Sequence, residues 1–211
     1  MGDLMIKNIA LAVSLALVPL VSSAASVGPV FKVNTAGEKS GVLTISNDGP
    51  DRSYQITVDE LTVLNGVSRR APSEKVRFAP SIVTVKKGAT QSIRYIKSEQ
   101  VGSEEFFRVS VAELPTPGEV GLIKLVKQDL AWIWRSPSAK ANVTGRWNGD
   151  RFEVTNTGDA SARLVSPSSG SATRSGLLGY VLPGETRSFA LPDFPHGVVS
   201  VEVNGIRQDI K

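Results

Sequence analysis

One histidine and no cysteine set the limits of the chemistry this chain can do. His196 lies between Pro195 and Gly197. A Ser-His-Asp nucleophile would have to be built on it, but a Pro and Gly frame predicts a surface turn. Without cysteine there is no thiolate nucleophile and no zinc site that needs one. A zinc site would rest on one imidazole and carboxylates, which is a poor set. Carboxylates occur as Asp59-Glu60, Glu104-Glu105 and Asp150. Two of them could in principle form a glycosidase pair, although such positions are usually solvated strand edges and turns. The chain has no G-x-S-x-G elbow, no phosphate loop and no H-E-x-x-H. These residues therefore predict a protein that is not an enzyme and carries no metal or cofactor. A hydrolase built on His196 is the enzymatic alternative.

Charge is equally sparing. Lys and Arg number 24 against 20 Asp and Glu, a formal net charge of +4 with no dense basic run. That serves solubility, or it forms a basic groove for a carboxylate or an acidic partner surface. Nucleic-acid binding would require aromatics interleaved with a basic stripe, and none is present. Asn142-Val143-Thr144 matches a glycosylation acceptor by chance. Trp132, Trp134 and Trp147 surround the middle of the chain and are expected to fill two cores and their junction.

The elements that position these residues begin with an export signal. Lys7 precedes an apolar run from Ile9 to Val21, broken only by Ser14 and Pro19, and Ser22-Ser23-Ala24-Ala25 follows. This is the layout of a secretory signal over residues 1–25, with cleavage after Ala24 or Ala25. The run is short of the ~20 apolar residues a membrane span needs. Asp3 is unusual in such a segment, so Met5 is an alternative start. The mature chain is expected to be soluble, with no membrane span, and its cores must hold without disulfides.

The rest reads as strands. Val42 to Ile45 runs into Asn47-Asp48-Gly49-Pro50. Tyr54 to Val58 alternates with period two, as does Phe106 to Leu114, which Pro115 closes. Ile82 to Val85 meets Lys86-Lys87-Gly88, and Leu122 to Trp134 is a long apolar-rich run. Many short β-branched and aromatic segments bounded by Gly, Pro, Asn and Asp are the mark of an all-β chain. Ser136-Pro137-Ser138-Ala139 breaks the pattern. Residues 26–136 suit one immunoglobulin-like sandwich of about 100 residues. Residues 139–211 form a smaller one, with hairpins at Asn148-Gly149 and Asn204-Gly205 and a Ser/Gly-rich loop from Ser166 to Ser175. The fold class is all-β: two immunoglobulin-like sandwiches joined by a short linker.

Within the first domain, Val120 to Lys127 is apolar on both faces. A strand buried on both sides of its own domain would read this way. So would an edge strand that covers a partner's groove. Exposed apolar edges aggregate and are normally avoided, so a retained one points to strand addition. The candidate partner-binding residues are Leu122, Ile123, Leu125 and Val126.

The sequence also resembles a known family, the periplasmic pilus chaperones of the chaperone–usher pathway, and its archaic branch above all. Gly41 to Gly49 is similar to that family's second strand and following turn. Val76-Arg77-Phe78-Ala79-Pro80 with Gly88 to Ile93 resembles its apolar-Pro…Gly-x-x-Gln segment. Glu105 to Val109 through Glu113-Leu114-Pro115 resembles its sixth strand. Phe152 to Gly158 and Gly179 to Gly184 resemble the archaic branch's second domain. The resemblance covers nearly all of the chain after the signal. It implies a periplasmic protein that lends its seventh strand to a pilin lacking one, then docks on an outer-membrane usher. It further implies that two cations between the domains hold the pilin's terminal carboxylate. Lys127 lies close to a basic position of the archaic branch's strand and Lys32 near the family's other cation, whereas Ala131 stands where better-known pilus chaperones have lysine; the alternative for both lysines is a solvated surface charge. The competing class is a secreted two-domain structural protein, an adhesin or a pilus subunit.

Overall fold

The computed structural model describes residues 25–98, 103–118 and 124–211, and these contain strands and no helix. The first ten strands form two facing sheets. One holds β1 (Ala25–Gly28), β3 (Ser40–Asn47), β8 (Ala89–Lys97) and β6 (Val76–Ala79), in that order. The other runs β2 (Phe31–Thr35), β10 (Lys127–Arg135), β9 (Glu104–Glu113), β4 (Arg52–Leu64) and β5 (Val67–Pro72), with β7 (Ile82–Val85) pairing one end of β4. Eight further strands make the second pair of sheets. These are β11 (Val143–Asn148), β12 (Arg151–Asn156) and β16 (Thr186–Ala190) on one side. On the other are β13 (Ala162–Ser169), β14 (Ala172–Thr173), β15 (Leu177–Val181), β17 (Val199–Val203) and β18 (Ile206–Ile210).

The opening of the chain changes sheets. β1 pairs antiparallel with β3, and after Gly28-Pro29 the chain crosses to pair in parallel with β10 as β2. Proline has no N–H for a ladder, so it suits the break between the two strands. The β2 pairing covers only Ala131 to Arg135 of β10. Among the described residues, no strand pairs Lys127 to Leu130 on that side.

Alternation sorts the side chains. Leu130, Trp132 and Trp134 of β10 point into the first core with Tyr54, Tyr95 and Phe107. Tyr95 meets Trp132 and Trp134 edge-on, with centroids 5.0 and 5.9 Å apart. The second core is built on Phe152, Phe189, Leu164 and Val201. One ion pair is buried in the first domain: Lys97 Nζ lies 2.5 Å from Glu105, with both side chains at most 3% exposed. Lys75 reaches the other Glu105 oxygen at 3.2 Å and Glu60 at 2.6 Å. Such a pair persists only where its charges compensate each other.

Each domain turns one corner on the same device. Asn47 accepts the Gly49 N–H and donates to Pro50 and Val85 carbonyls. Asn156 accepts the Gly158 N–H and donates to Ala160 and Val181 carbonyls. A buried amide thus replaces the backbone partners the ladder loses at the turn.

Three sequence expectations change. Ser166 to Ser175 is a tight hairpin, with Ser168 opposite Thr173 and Ser169 opposite Ala172, because β13 continues past Val165. The junction between the domains holds no tryptophan: Trp132 and Trp134 fill the first core, and Trp147 packs on the second. Of the run expected as strand from Leu122, Lys124 to Val126 lie outside any strand and β10 begins at Lys127. Most of the expected signal, together with Leu122 and Ile123, lies outside the described residues, but Ala25 belongs to β1, opposite Asn47.

Candidate functional site: the interdomain cleft and the edge beside it

The row of β10 that turns away from the first core runs through Lys127, Asp129, Ala131 and Ile133. Their partners across β9 are Ala112, Ser110, Arg108 and Phe106. This outer face of the sheet changes character along its length. At the end against the second domain, Phe106, Ala131 and Ile133 pack on Tyr180 and Leu182, with Leu61 and Val63 beside them. One row further out stands Arg108. Beyond it is a polar network. Arg70 reaches Asp59 at 2.6 Å, Asp129 at 3.0 Å and the Ser110 hydroxyl at 3.0 Å, and Ser110 also donates to Asp129. Arg70 above all holds the Asp129 carboxyl down at about 2.

Arg108 is the unusual member. Its guanidinium lies 5.4 Å from the Phe106 ring and 5.4 Å from the Tyr180 ring. Among the described residues it makes neither a hydrogen bond nor an ion pair. Burial lowers its proton affinity, and the nearby Arg70 and Arg187 charges act in the same direction. Ala131, its neighbour across the ladder, is too small to cover it. Stacking on rings partly compensates a cation in such a place, and an anion would complete it. Tyr180 also contacts Phe31, with centroids 6.0 Å apart.

The second domain is held against this face by directed bonds. Glu104 accepts the Ser161 N–H. Ser68 donates to Glu185 at 2.6 Å, and the Thr186 N–H donates to the Gly66 carbonyl at 2.9 Å. Gly66 sits at the tip of the β4–β5 hairpin, where Asn65 and Gly66 both have positive φ, 53° and 77°. A two-residue turn of this kind favours an Asn-Gly pair.

The residues expected from sequence fall in three places. Lys32 faces away from the cleft. Its Nζ lies 2.7 Å from Glu38 and 2.6 Å from the Tyr95 hydroxyl, over the rings of Tyr95 and Trp132. These partners outweigh its partial burial and raise its pKa. Lys127 is exposed on the cleft-side face, at the first position of β10. Leu125 and Val126 are both exposed, at 42% and 41%. Neither lies in a strand, because β10 begins one residue later, so alternation does not turn one of them into the chain's own core. Their segment is tied to the end of β9: the Glu113 N–H donates to the Val126 carbonyl, and the Val126 N–H donates to the Glu113 carboxylate.

His196 lies on an exposed turn, stacked on Trp147 at 4.7 Å. The acidic pairs are used in ion pairs and in the domain junction. Arg108 and Tyr180 were not among the candidate binding residues. Period two did place Arg108 on the same face as Phe106, but nothing in the sequence said that this face meets a second domain.

No protein-family model matches the chain, and no curated protein matches it in sequence. Solved structures do match. A chain of the CsuC–CsuE chaperone–tip subunit complex from archaic Csu pili of Acinetobacter baumannii has a TM-score of 0.71 at 19% identity, covering 89% of this chain and 97% of its own. A chain from the Salmonella enterica SafA pilin–SafB chaperone complex gives 0.68 at 17%, covering 89% and 93%. The E. coli chaperone DraB gives 0.65 at 16%, covering 90% and 97%. The fold is therefore the all-β, two-domain fold of the pilus chaperones.

Proposed function

We propose that this protein is a periplasmic chaperone that caps pilus subunits by lending them a strand and delivers them to an outer-membrane usher. The observation that carries this reading is the free edge of β10. Among the described residues, Lys127 to Leu130 have no strand beside them on the β2 side, and the residues leading into them, Leu125 and Val126, expose their side chains. An exposed apolar segment running into an unpaired edge is an aggregation hazard unless it has a partner. A pilin groove lacking one strand would take main-chain hydrogen bonds from this edge and apolar side chains into its pockets.

The cleft supports the same reading. A pilin strand running along this edge would bring its C-terminus towards the junction, where Arg108 has no hydrogen-bonded or ion-paired anion among the described residues. In this reading Arg108 takes the terminal carboxylate, in place of the lysine that Ala131 lacks. Lys127, on the same face, is a secondary cation, and Lys32 is engaged by Glu38.

The test is capture. The mature chain, tagged and expressed with candidate pilins in a periplasmic extract, should co-purify with a small pilin, and Leu125→Asp should lose it. Recovery of the chain alone, or assembled into a surface fibre as a subunit, would replace this reading with a structural one.

A further inference from the structure

The ladder between β9 and β10 ends on a mixed rung. Its last regular pair is Lys127 with Ala112, and the next residues to face each other are Val126 and Glu113. In an antiparallel ladder every second facing pair exchanges two main-chain bonds. This pair makes one of them: the Glu113 N–H donates to the Val126 carbonyl at 2.9 Å. The Val126 N–H donates instead to the Glu113 carboxylate, at 3.2 Å. A side-chain oxygen stands in for the backbone acceptor.

The sequence explains why the ladder stops there. The Leu114 N–H turns to the Ser53 carbonyl of β4, at 2.8 Å. The next rung towards β10 would need an N–H from Pro115, which has none. Glu113 is thus the last residue of β9 able to hold the chain that leads into β10.

Orientation decides what this rung does. The Ala131 N–H points to the β2 side, at the Val30 carbonyl. Main-chain groups alternate sides along a strand. Those of Lys127 and Asp129 therefore face the open edge, and those of Gln128 and Leu130 face β9. Val126 belongs to the second set, because its groups are held by Glu113.

We propose that Glu113 is a positioning residue for strand lending: its carboxylate carries the ladder one rung past β10, so that a partner strand pairs with Leu125 as well as with Lys127 and Asp129. This rests on the strand-lending reading given above and adds to it a residue that acts through Val126. An edge of two rungs becomes an edge of three. The added rung brings main-chain bonds and fixes the exposed Leu125 side chain for a partner's pocket.

The experiment reads amide hydrogen exchange by NMR on the full mature chain, free and bound to the small pilin that co-purifies with the wild type. In the free wild type the Val126 N–H should be protected. Glu113→Ala should speed its exchange about tenfold relative to the Leu130 N–H, as loss of one bond to a charged group does. Leu130 lies in the core on the same strand, so a general loss of stability moves both amides and cancels in the ratio. Glu113→Gln keeps an oxygen acceptor and should keep the protection. In the complex the Leu125 N–H should become protected in the wild type and in Glu113→Gln, and stay open in Glu113→Ala. Wild type and Glu113→Ala, expressed together with a limiting amount of that pilin, should share it about ten to one. An unprotected Val126 in the free wild type, an open Leu125 in its complex, or equal sharing by a folded Glu113→Ala chain would each overturn the role of Glu113 and leave strand lending standing. The two wild-type readings need no variant, so they decide the matter if Glu113→Ala does not fold. A wild type that captures no pilin removes strand lending and this role together.

Discussion

Both carboxylate oxygens of Glu104 lie 2.9 Å from the backbone nitrogen of Ser161, across the junction between the sandwiches. Arg135 stands 3.7 Å away on the other side. Burial is the largest influence on this carboxyl and raises its pKa, while the Ser161 and Arg135 contacts oppose that.

Glu104→Ala should lower stability by about 1–3 kcal/mol, because it leaves a buried N–H without an acceptor. Glu104→Gln should cost less, since its amide oxygen still accepts. A carboxyl whose folded pKa is raised adds stability that is complete below its ordinary value, 4.5. That contribution is lost as pH rises through the folded value. The advantage of wild type over Glu104→Gln, measured by urea unfolding, should therefore shrink as pH rises. A gap independent of pH would refute this account.

Asp129 works with the opposite sign. Its carboxyl is held at about 2 against an ordinary 3.8, first of all by Arg70. Its contribution is present above 3.8 and is lost as pH falls through about 2. Asp129→Asn should be less stable at neutral pH and lose less on acidification across that window. Thermal melts at a series of acid pH values would reveal it, and parallel curves for the two proteins would count against it.

At Leu125 and Val126 the expected result is a dissociation of fold from capture. Both side chains are exposed, so Asp at either position should change stability by no more than about 0.5 kcal/mol. Inside a closed partner groove the same carboxylate would be desolvated without a partner, at several kcal/mol. Melting temperature and pilin co-purification should therefore separate in both variants. Normal capture by both would remove this segment from the interface.

Asn156→Ala should destabilise the second domain by about 1–3 kcal/mol or more, because the buried amide serves Ala160, Val181, Asn142 and Gly158 together. Tryptophan fluorescence during denaturation would distinguish an early transition near Trp147 from unfolding around Trp132 and Trp134. A single transition at the wild-type midpoint would show that the corner does not need its amide.

The strand pattern was legible because alternation and turn residues are local. Asn148-Gly149 and Asn204-Gly205 make hairpins where their types require. The Ser166 to Ser175 hairpin was missed because small polar residues look alike in a loop and in a short ladder that packs on little. The cleft was least legible. Lys32 looked like a cleft cation because charge type shows in a sequence and facing does not. It shares the alternate row with Asn34, towards Tyr95 and Trp132, whereas Phe31 takes the row that meets Tyr180. Arg108 became visible only once Ala131 lay opposite it and Tyr180 arrived from the other domain.

The parallel pairing of β2 with β10 also constrains the order of folding. Phe31 finds Ala131 one hundred positions later in the chain (131 − 31 = 100). A chain that emerges N-terminus first cannot close this sheet until nearly the whole first domain has appeared. Contacts so distant in sequence slow folding, because the loop must close before the contact stabilises anything. Until then Val30, Phe31 and Val33 wait without their neighbour, and the nascent domain carries for a time the same defect as a subunit that lacks a strand.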